Sequence, residues 1–328
     1  MLALGVVAIW AFPHPRACGC WARWDQASLP CRCSRRGCVT HLVTLLVIAD
    51  RRAGSTPPFR NPPLVLTVLE IRYPEIAGGL TDAAVAAMKE AVRDSLPVMA
   101  PQVERQIGVP TDAAMPPQVE QRSSPRFCAR DQATALVVRR DALVLETTVY
   151  GGWVEHFRPL AKQVTEALER ICAPDGLLRI GLRYIDEIRV PGAGGGPDDW
   201  DGYINPRLLA AAAADLRPDG MNPTTWQGLI QYQTEASCAL TVRYGPQEGY
   251  AVDPQGPTRR KSVAPAGPYF LLDSDAFWSG DDEIPEFAVD RILELCDQVH
   301  QAASHFFKIA VTDRLRAEVF DQHTKDPT

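Results

Sequence analysis

Residues 178–190, LRIGLRYIDEIRV, place Ile180, Leu182, Tyr184 and Ile188 on one side of an extended chain, an alternation that fits a β-strand. The stretch has a forerunner at residues 64–73, LVLTVLEIRY. There Val65, Leu69, Ile71 and Tyr73 share one face, and Glu70 and Arg72 the other. The segments downstream of the two strands are also alike. After the first, Thr81 caps a helix with Val85, Met88, Val92 and Leu96 as its apolar stripe, and Pro97 ends it. Residues 110–126, rich in Pro and Ser, read as a loop or an edge strand. Strands are expected at Ala133–Arg139 and Ala142–Tyr150, then, past Gly151 and Gly152, a helix bearing Trp153, Phe157, Leu160, Val164, Leu168 and Ile171.

After the second strand comes a Gly-rich linker, PGAGGGPDD, and an Ala-rich helix near Pro206–Leu216. Strands are expected at Thr225–Thr234, Ser237–Tyr244 and Pro268–Phe277. A long helix runs through Phe287, Ile292, Leu295, Val299, Phe306 and Ala310, and Thr312 recaps it for a last turn near Phe320. Each half therefore reads strand, helix, two or three strands, long helix. Glu70-Ile-Arg72-Tyr73 is echoed by Gly181-Leu-Arg183-Tyr184, and Tyr150…Trp153…Phe157 by Phe277-Trp278…Phe287. The expected fold is α+β: two pseudo-repeats, about 61–175 and 176–320, joined in one curved antiparallel sheet with both long helices on one face. That element order is like that of the TATA-binding-protein or helix-grip architectures, an analogy that carries no function.

Charge divides the 328 residues into two unlike parts. The first sixty hold eight Arg, no Lys and two Asp, a net of +6, which leaves 26 basic and 38 acidic residues beyond them, a net of −12. Five of the nine cysteines fall in the first part, at Cys18, Cys20, Cys31, Cys33 and Cys38. Their one-residue pair spacing is too short for a common zinc knuckle. The apolar runs 1–12 and 39–49 lack the flanks of a signal peptide and the ~20-residue length of a spanning helix. Residues 1–58 are therefore expected to be a disordered tail or a product of a start codon placed too early, and residues 59–328 a single domain. Its isolated cysteines and lack of export signals point to the cytoplasm. Its acidity speaks against nucleic acid as a partner, and no membrane is expected.

NPPLVLTVLEIRY, LRYIDEIRVP, YFLLDSDAF and the terminal His300…Phe306-Phe307…Thr312-Asp313-Arg314-Leu315-Arg316 together resemble a sporadically distributed family of uncharacterised prokaryotic proteins. The resemblance covers about residues 59–320. It implies no reaction and no cofactor, and its scattered occurrence is that of accessory or defence genes.

Two groups of residues carry candidate chemistry. Arg72 and Arg183 occupy the same place in the two repeats, beside Glu70, Asp186 and Glu187. On one sheet face they could clamp a carboxylate or phosphate by forked hydrogen bonds, or simply neutralise neighbouring acids across the strands. Asp273 and Asp275 share a strand face ahead of Asp281, Asp282 and Glu283, and such clustered oxygens could hold Mg²⁺ for phosphoryl chemistry, or could be solvated. His156, His300 and His305 lack metal-binding spacing, and no nucleophile elbow, zinc-protease helix or phosphate loop is present. Arg259, Arg260 and Lys261 fall in a long loop, 245–267, expected to be solvated and mobile. The expectation is a recognition or adaptor protein, not an enzyme, that holds a protein or small anionic ligand without a cofactor. The alternative is a metal-dependent enzyme using Asp273 and Asp275 on a phosphorylated substrate.

Overall fold

Strand β1 (Leu64–Arg72) alternates as its sequence dictates, burying Val65, Thr67, Leu69 and Ile71. It belongs to a computed structural model that describes residues 59–108, 118–212, 216–221, 223–234, 237–280 and 283–321. The cysteine cluster at 18–38, the apolar runs 1–12 and 39–49, and Asp281 and Asp282 lie outside these residues. Helix α1 (Asp82–Ala91) starts at its expected cap, where the Thr81 hydroxyl accepts from the Ala84 N–H at 3.2 Å.

Strands β2 (Val98–Gly108) and β3 (Gln118–Cys128) form a long hairpin. The sequence suggests an edge strand only at 110–126. The stretch that forms β2 carries Pro101, Glu104 and Arg105, residues that suit an outermost strand but erase the apolar alternation by which strands are recognised. Strands β4 (Thr134–Val138) and β5 (Ala142–Thr147) come next, then a π-helical turn, Trp153–Phe157, leading into α2 (Arg158–Cys172). Strand β6 (Arg179–Ile188) opens the second half. Helix α3 (Pro206–Leu209) is shorter than the Ala-rich sequence suggests, passing into a 3₁₀ turn at Ala210–Ala212. Strands β7 (Gly228–Gln233), β8 (Cys238–Gly249) and β9 (Gly267–Ser279) precede the long α4 (Val289–Ala310) and a short α5 (Asp313–Leu315) capped by Thr312.

The nine strands make one open sheet in the order β2-β3-β4-β5-β1-β6-β9-β8-β7, every neighbouring pair antiparallel. The first strands of the two halves, β1 and β6, are neighbours at its middle, and each is flanked by the last strand of its own half. Glu70 pairs directly with Gly181, so Arg72 and Arg183 fall two residues to either side of that pair.

Helices α1, α2 and α4 cover one face, where Leu69, Ile71, Phe157, Leu168, Leu182, Ile292 and Leu295 are among the residues of a single core. Among the described residues, the opposite, outer face is covered at one end. The segment between β8 and β9 folds back across it as a strap: the Arg126 guanidinium donates to the Pro257 carbonyl at 2.8 Å, the Arg259 N–H to the Gln132 carbonyl at 2.8 Å, and the Thr258 hydroxyl to Glu146. Arg260 reaches the nearly sealed Glu187 carboxylate at 2.9 Å, and the Ala251 N–H donates to the same group at 2.9 Å. The loop is therefore anchored at its middle, by Arg260 on Glu187 and by Thr258 on Glu146, while residues 261–266 stay exposed to solvent. Among the described residues, four cysteines carry free thiols and no helix is long and apolar enough to cross a membrane.

Candidate functional site

The uncovered end of the outer face carries a ladder of arginines and acids. Register sets it out: Arg72 lies opposite Arg179, Arg183 opposite Asp275, and Arg243 opposite Asp273, so four adjacent strands (β1, β6, β9, β8) present these side chains on one side. Glu70 accepts from Arg72 Nη2 at 3.2 Å and from Arg179 Nη1 at 2.9 Å, with Arg72 Nε 3.0 Å away in the same ion pair. Arg179 Nη2 stands 3.7 Å from Asp275, and its guanidinium lies over the Phe277 ring, 4.7 Å from the centroid. Arg183 donates from Nε and Nη2 to the two oxygens of Asp273, both at 2.7 Å.

Gly181 makes this arrangement possible. An added Cβ would meet the Arg179 guanidinium, whose Cζ stands 3.0 Å from the position it would take, so the glycine is the notch in which that side chain lies. The ladder sets four arginines against three acids, a local excess of positive charge although residues 61–328 carry a net of −12. Arg243 accounts for the excess. It faces Asp273, whose oxygens are already taken by Arg183, and among the described residues it makes no ion pair or hydrogen bond of its own. The side chains of Arg72 and Arg183 remain 42% and 38% exposed, enough for an incoming group to reach their free N–H donors. The hydrogen bond to Asp273 holds the Arg183 guanidinium above its ordinary pKa, and burial pushes the Asp275 carboxyl up against the opposing fields of Arg179 and Arg183.

The residues singled out from sequence are distributed unevenly over this ladder. Arg72, Glu70 and Arg183 stand on it, as do Asp273 and Asp275. Asp186 does not. It pairs with Leu272, a core residue, and so points to the helix-covered face, 4% exposed, away from Arg183 and Glu187. Adjacency along the chain suggests a shared site, whereas strand alternation sends neighbours to opposite faces. Glu187 is on the outer face but under the strap. Burial works against its charge, and hydrogen bonds from Arg260, the Ala251 N–H and Arg189 outweigh it, leaving its pKa below the ordinary value. Arg179 and Arg243 are the members that sequence reasoning misses. Alternation could have assigned each a face, but the strand pairing that brings them beside Arg72 and Asp273 has no local signature.

Asp273 and Asp275 are held in ion pairs with Arg183 and Arg179, and among the described residues no group of three or more His, Cys, Asp or Glu side chains is placed to hold a metal ion. The histidines are divided between packing and surface. His300 stacks on Trp153, with ring centroids 4.5 Å apart, and its Nδ1 meets the Tyr184 hydroxyl at 2.8 Å. Burial lowers its pKa to about 4, so the ring is neutral. Trp153 is itself fixed by Asp297, which also takes a forked pair from Arg158. His156 and His305 are exposed.

Comparison with protein-family models, with characterised proteins and with solved structures gives no match in any of the three. The ladder's own chemistry is thus what speaks for function: fixed, forked cation donors on a rigid sheet, with one arginine in excess.

Proposed function

We propose that the protein is a non-enzymatic recognition protein that holds an anionic group, a carboxylate or phosphate on a small ligand or a partner protein, at the uncovered end of the outer face. Arg183 and Arg243 are its principal contacts, with Arg72 and Arg179 on the far side of Glu70. The observation that carries the reading is Arg243, a partly buried arginine on the same face of the sheet as the ladder, with no acid of its own among the described residues. A forked donor of this kind matches the two oxygens of a carboxylate or phosphate. The acids of the metal-enzyme alternative, Asp273 and Asp275, already serve as partners of Arg183 and Arg179, which favours recognition over metal chemistry.

The outward strand order shared by the two halves, and the direct pairing of the echoed Glu70 and Gly181, support an origin by duplication and a TATA-binding-protein-like or helix-grip-like arrangement. In that reading Arg72 and Arg183 are equivalent residues of the two repeats, and the protein serves as a cytoplasmic adaptor of an accessory or defence operon.

Isothermal titration of the full chain with inorganic phosphate and with an aspartate-rich peptide tests the reading. Binding of at least one probe, weakened about tenfold in Arg243→Gln, a loss of about 1.4 kcal/mol, is the expected result. Equal affinity for wild type and Arg243→Gln, or no binding of either probe at low salt, removes the site.

A further inference from the structure

The helix-covered face of the sheet holds polar groups that nothing in the described protein satisfies. Thr67 on β1, Tyr184 on β6 and Ser274 on β9 form one row across three adjacent strands, all facing the core. The Thr67 and Ser274 hydroxyls are buried and without hydrogen-bond partners. Asp186, one step further along the same side of β6, is only 4% exposed and makes no hydrogen bond or ion pair among the described residues.

The surrounding polar groups are already engaged. The Tyr184 hydroxyl meets His300 Nδ1 at 2.8 Å and the Tyr150 hydroxyl at 3.3 Å, and the Thr147 hydroxyl, beside Thr67, meets that of Thr134 at 2.8 Å. Sheet geometry keeps the three unmet groups apart. Thr67 and Ser274 are two strands apart, roughly 10 Å, and Asp186 is a diagonal neighbour of each, roughly 7–8 Å between Cα atoms. Side chains this short do not meet directly at that spacing, and a bridge between them would be the size of water. A second feature coincides: the β1–β6 register shifts between Leu64 and Leu66, beside Asp186, and such an irregularity loosens the ladder and its packing.

We infer that this row is an internal hydration site, in which ordered water bridges the Asp186 carboxyl to the Thr67 and Ser274 hydroxyls beneath α4. Water suits the donor set better than a cation does, because one carboxyl and two hydroxyls present both donors and acceptors. Burial supports this by raising the Asp186 pKa to about 8, so that at neutral pH the carboxyl is protonated and itself a donor. Buried polar groups in folded proteins find such partners as a rule, and internal waters make two to four hydrogen bonds of this kind. The site lies behind Asp273 in the sheet and is separate from the arginine ladder, so it stands whether or not the ladder binds anions.

Water-¹⁷O magnetic relaxation dispersion on the full chain counts long-lived internal waters. The triple variant Thr67→Val, Asp186→Leu, Ser274→Ala, which keeps shape while removing the polar atoms, is expected to lose the amplitude of at least one such water. Unchanged amplitude in a folded triple variant overturns the site. Should the triple variant not fold, a high-resolution crystal structure of the wild type decides. Water hydrogen-bonded to Asp186 and to either hydroxyl supports the site, while a dry row or a metal ion there refutes it.

Discussion

Arg183 and Asp273 are joined by two parallel hydrogen bonds of 2.7 Å across adjacent strands, on the face of the sheet opposite to Asp186. The Asp273 side chain is 8% exposed and that of Arg183 38%, so the pair is asymmetric: the acid depends on the base more than the base on the acid. Arg183→Ala should destabilise the fold by about 1–3 kcal/mol, less than a fully buried pair would lose, because solvent reaches the guanidinium side. Removing both partners should cost less than the sum of the two single changes. Urea unfolding of the singles and the double reads this directly, and additive losses would show that the pair contributes nothing as a pair.

Asp186 should make stability fall with rising pH. Its folded pKa is raised from 3.8 to about 8 by burial and by the field of Asp273. A raised carboxyl pKa gives stability that is fully present below the unfolded value and is lost as pH climbs through the folded one. The loss approaches about 1.4 kcal/mol per pH unit within that window. Asp186→Asn removes the titration, so the variant should be the more stable protein at pH 7 and show a flatter curve. Melting temperatures across the window check this, and parallel curves for the two proteins would refute it.

The strap should be releasable by a single change. Arg260 and Glu187 are 7% and 2% exposed at their side chains, and Arg189 also reaches Glu187 at 3.0 Å. Arg260→Ala leaves Glu187 with Arg189 and the Ala251 N–H, and should cost about 2 kcal/mol. It should also expose residues 250–266 to limited proteolysis well before global unfolding. Because the Glu187 pKa lies below its ordinary value, the wild-type anchor should hold at neutral pH and weaken only as pH falls through that lowered pKa. A cleavage rate unaffected by both the variant and acid would mean that other contacts hold the strap.

Gly181→Ala tests the notch. The new methyl displaces Arg179 from Glu70 and from the Phe277 ring, at a cost of about 1 kcal/mol, while leaving the Arg72–Glu70 pair in place. Combining it with Arg179→Ala should add almost nothing, since the displaced contacts are already gone. A fully additive double variant would place the glycine's role in the backbone.

Parts of this molecule are readable in its sequence, and others are hidden for identifiable reasons. β1 and β6 are legible because one of their faces is buried, and alternation survives in Val65, Leu69, Ile71 and in Ile180, Leu182, Tyr184. The caps at Thr81 and Thr312 are legible because they act within three residues. β2 is not, since an outermost strand with Pro101 has no periodic face to show. Of the ladder, Arg72, Glu70, Arg183, Asp273 and Asp275 are marked by the sequence echo between β1 and β6 or by clustering, whereas Arg179 and Arg243 join it through pairings between distant strands. Asp186 is misplaced when nearness in the chain is weighed above strand parity. The strap's anchors, such as Glu187 with Arg260, join residues 73 apart and leave no trace in either local segment.

The adjacency of β1 and β6 at the middle of the sheet bears on how the chain is made. A ribosome releases β1 when residue 72 emerges, yet its two partners begin only at residues 142 and 179, and β6 in turn waits for β9 at 267–279. The innermost strand is thus the first delivered and, until both partners arrive, a bare template for mispairing. High contact order of this kind slows folding and prolongs exposure of sticky edges. Refolding of this domain should accordingly be slow and sensitive to protein concentration, and a truncation before β9 should leave β6 without its outer neighbour and yield aggregate in place of a smaller folded sheet.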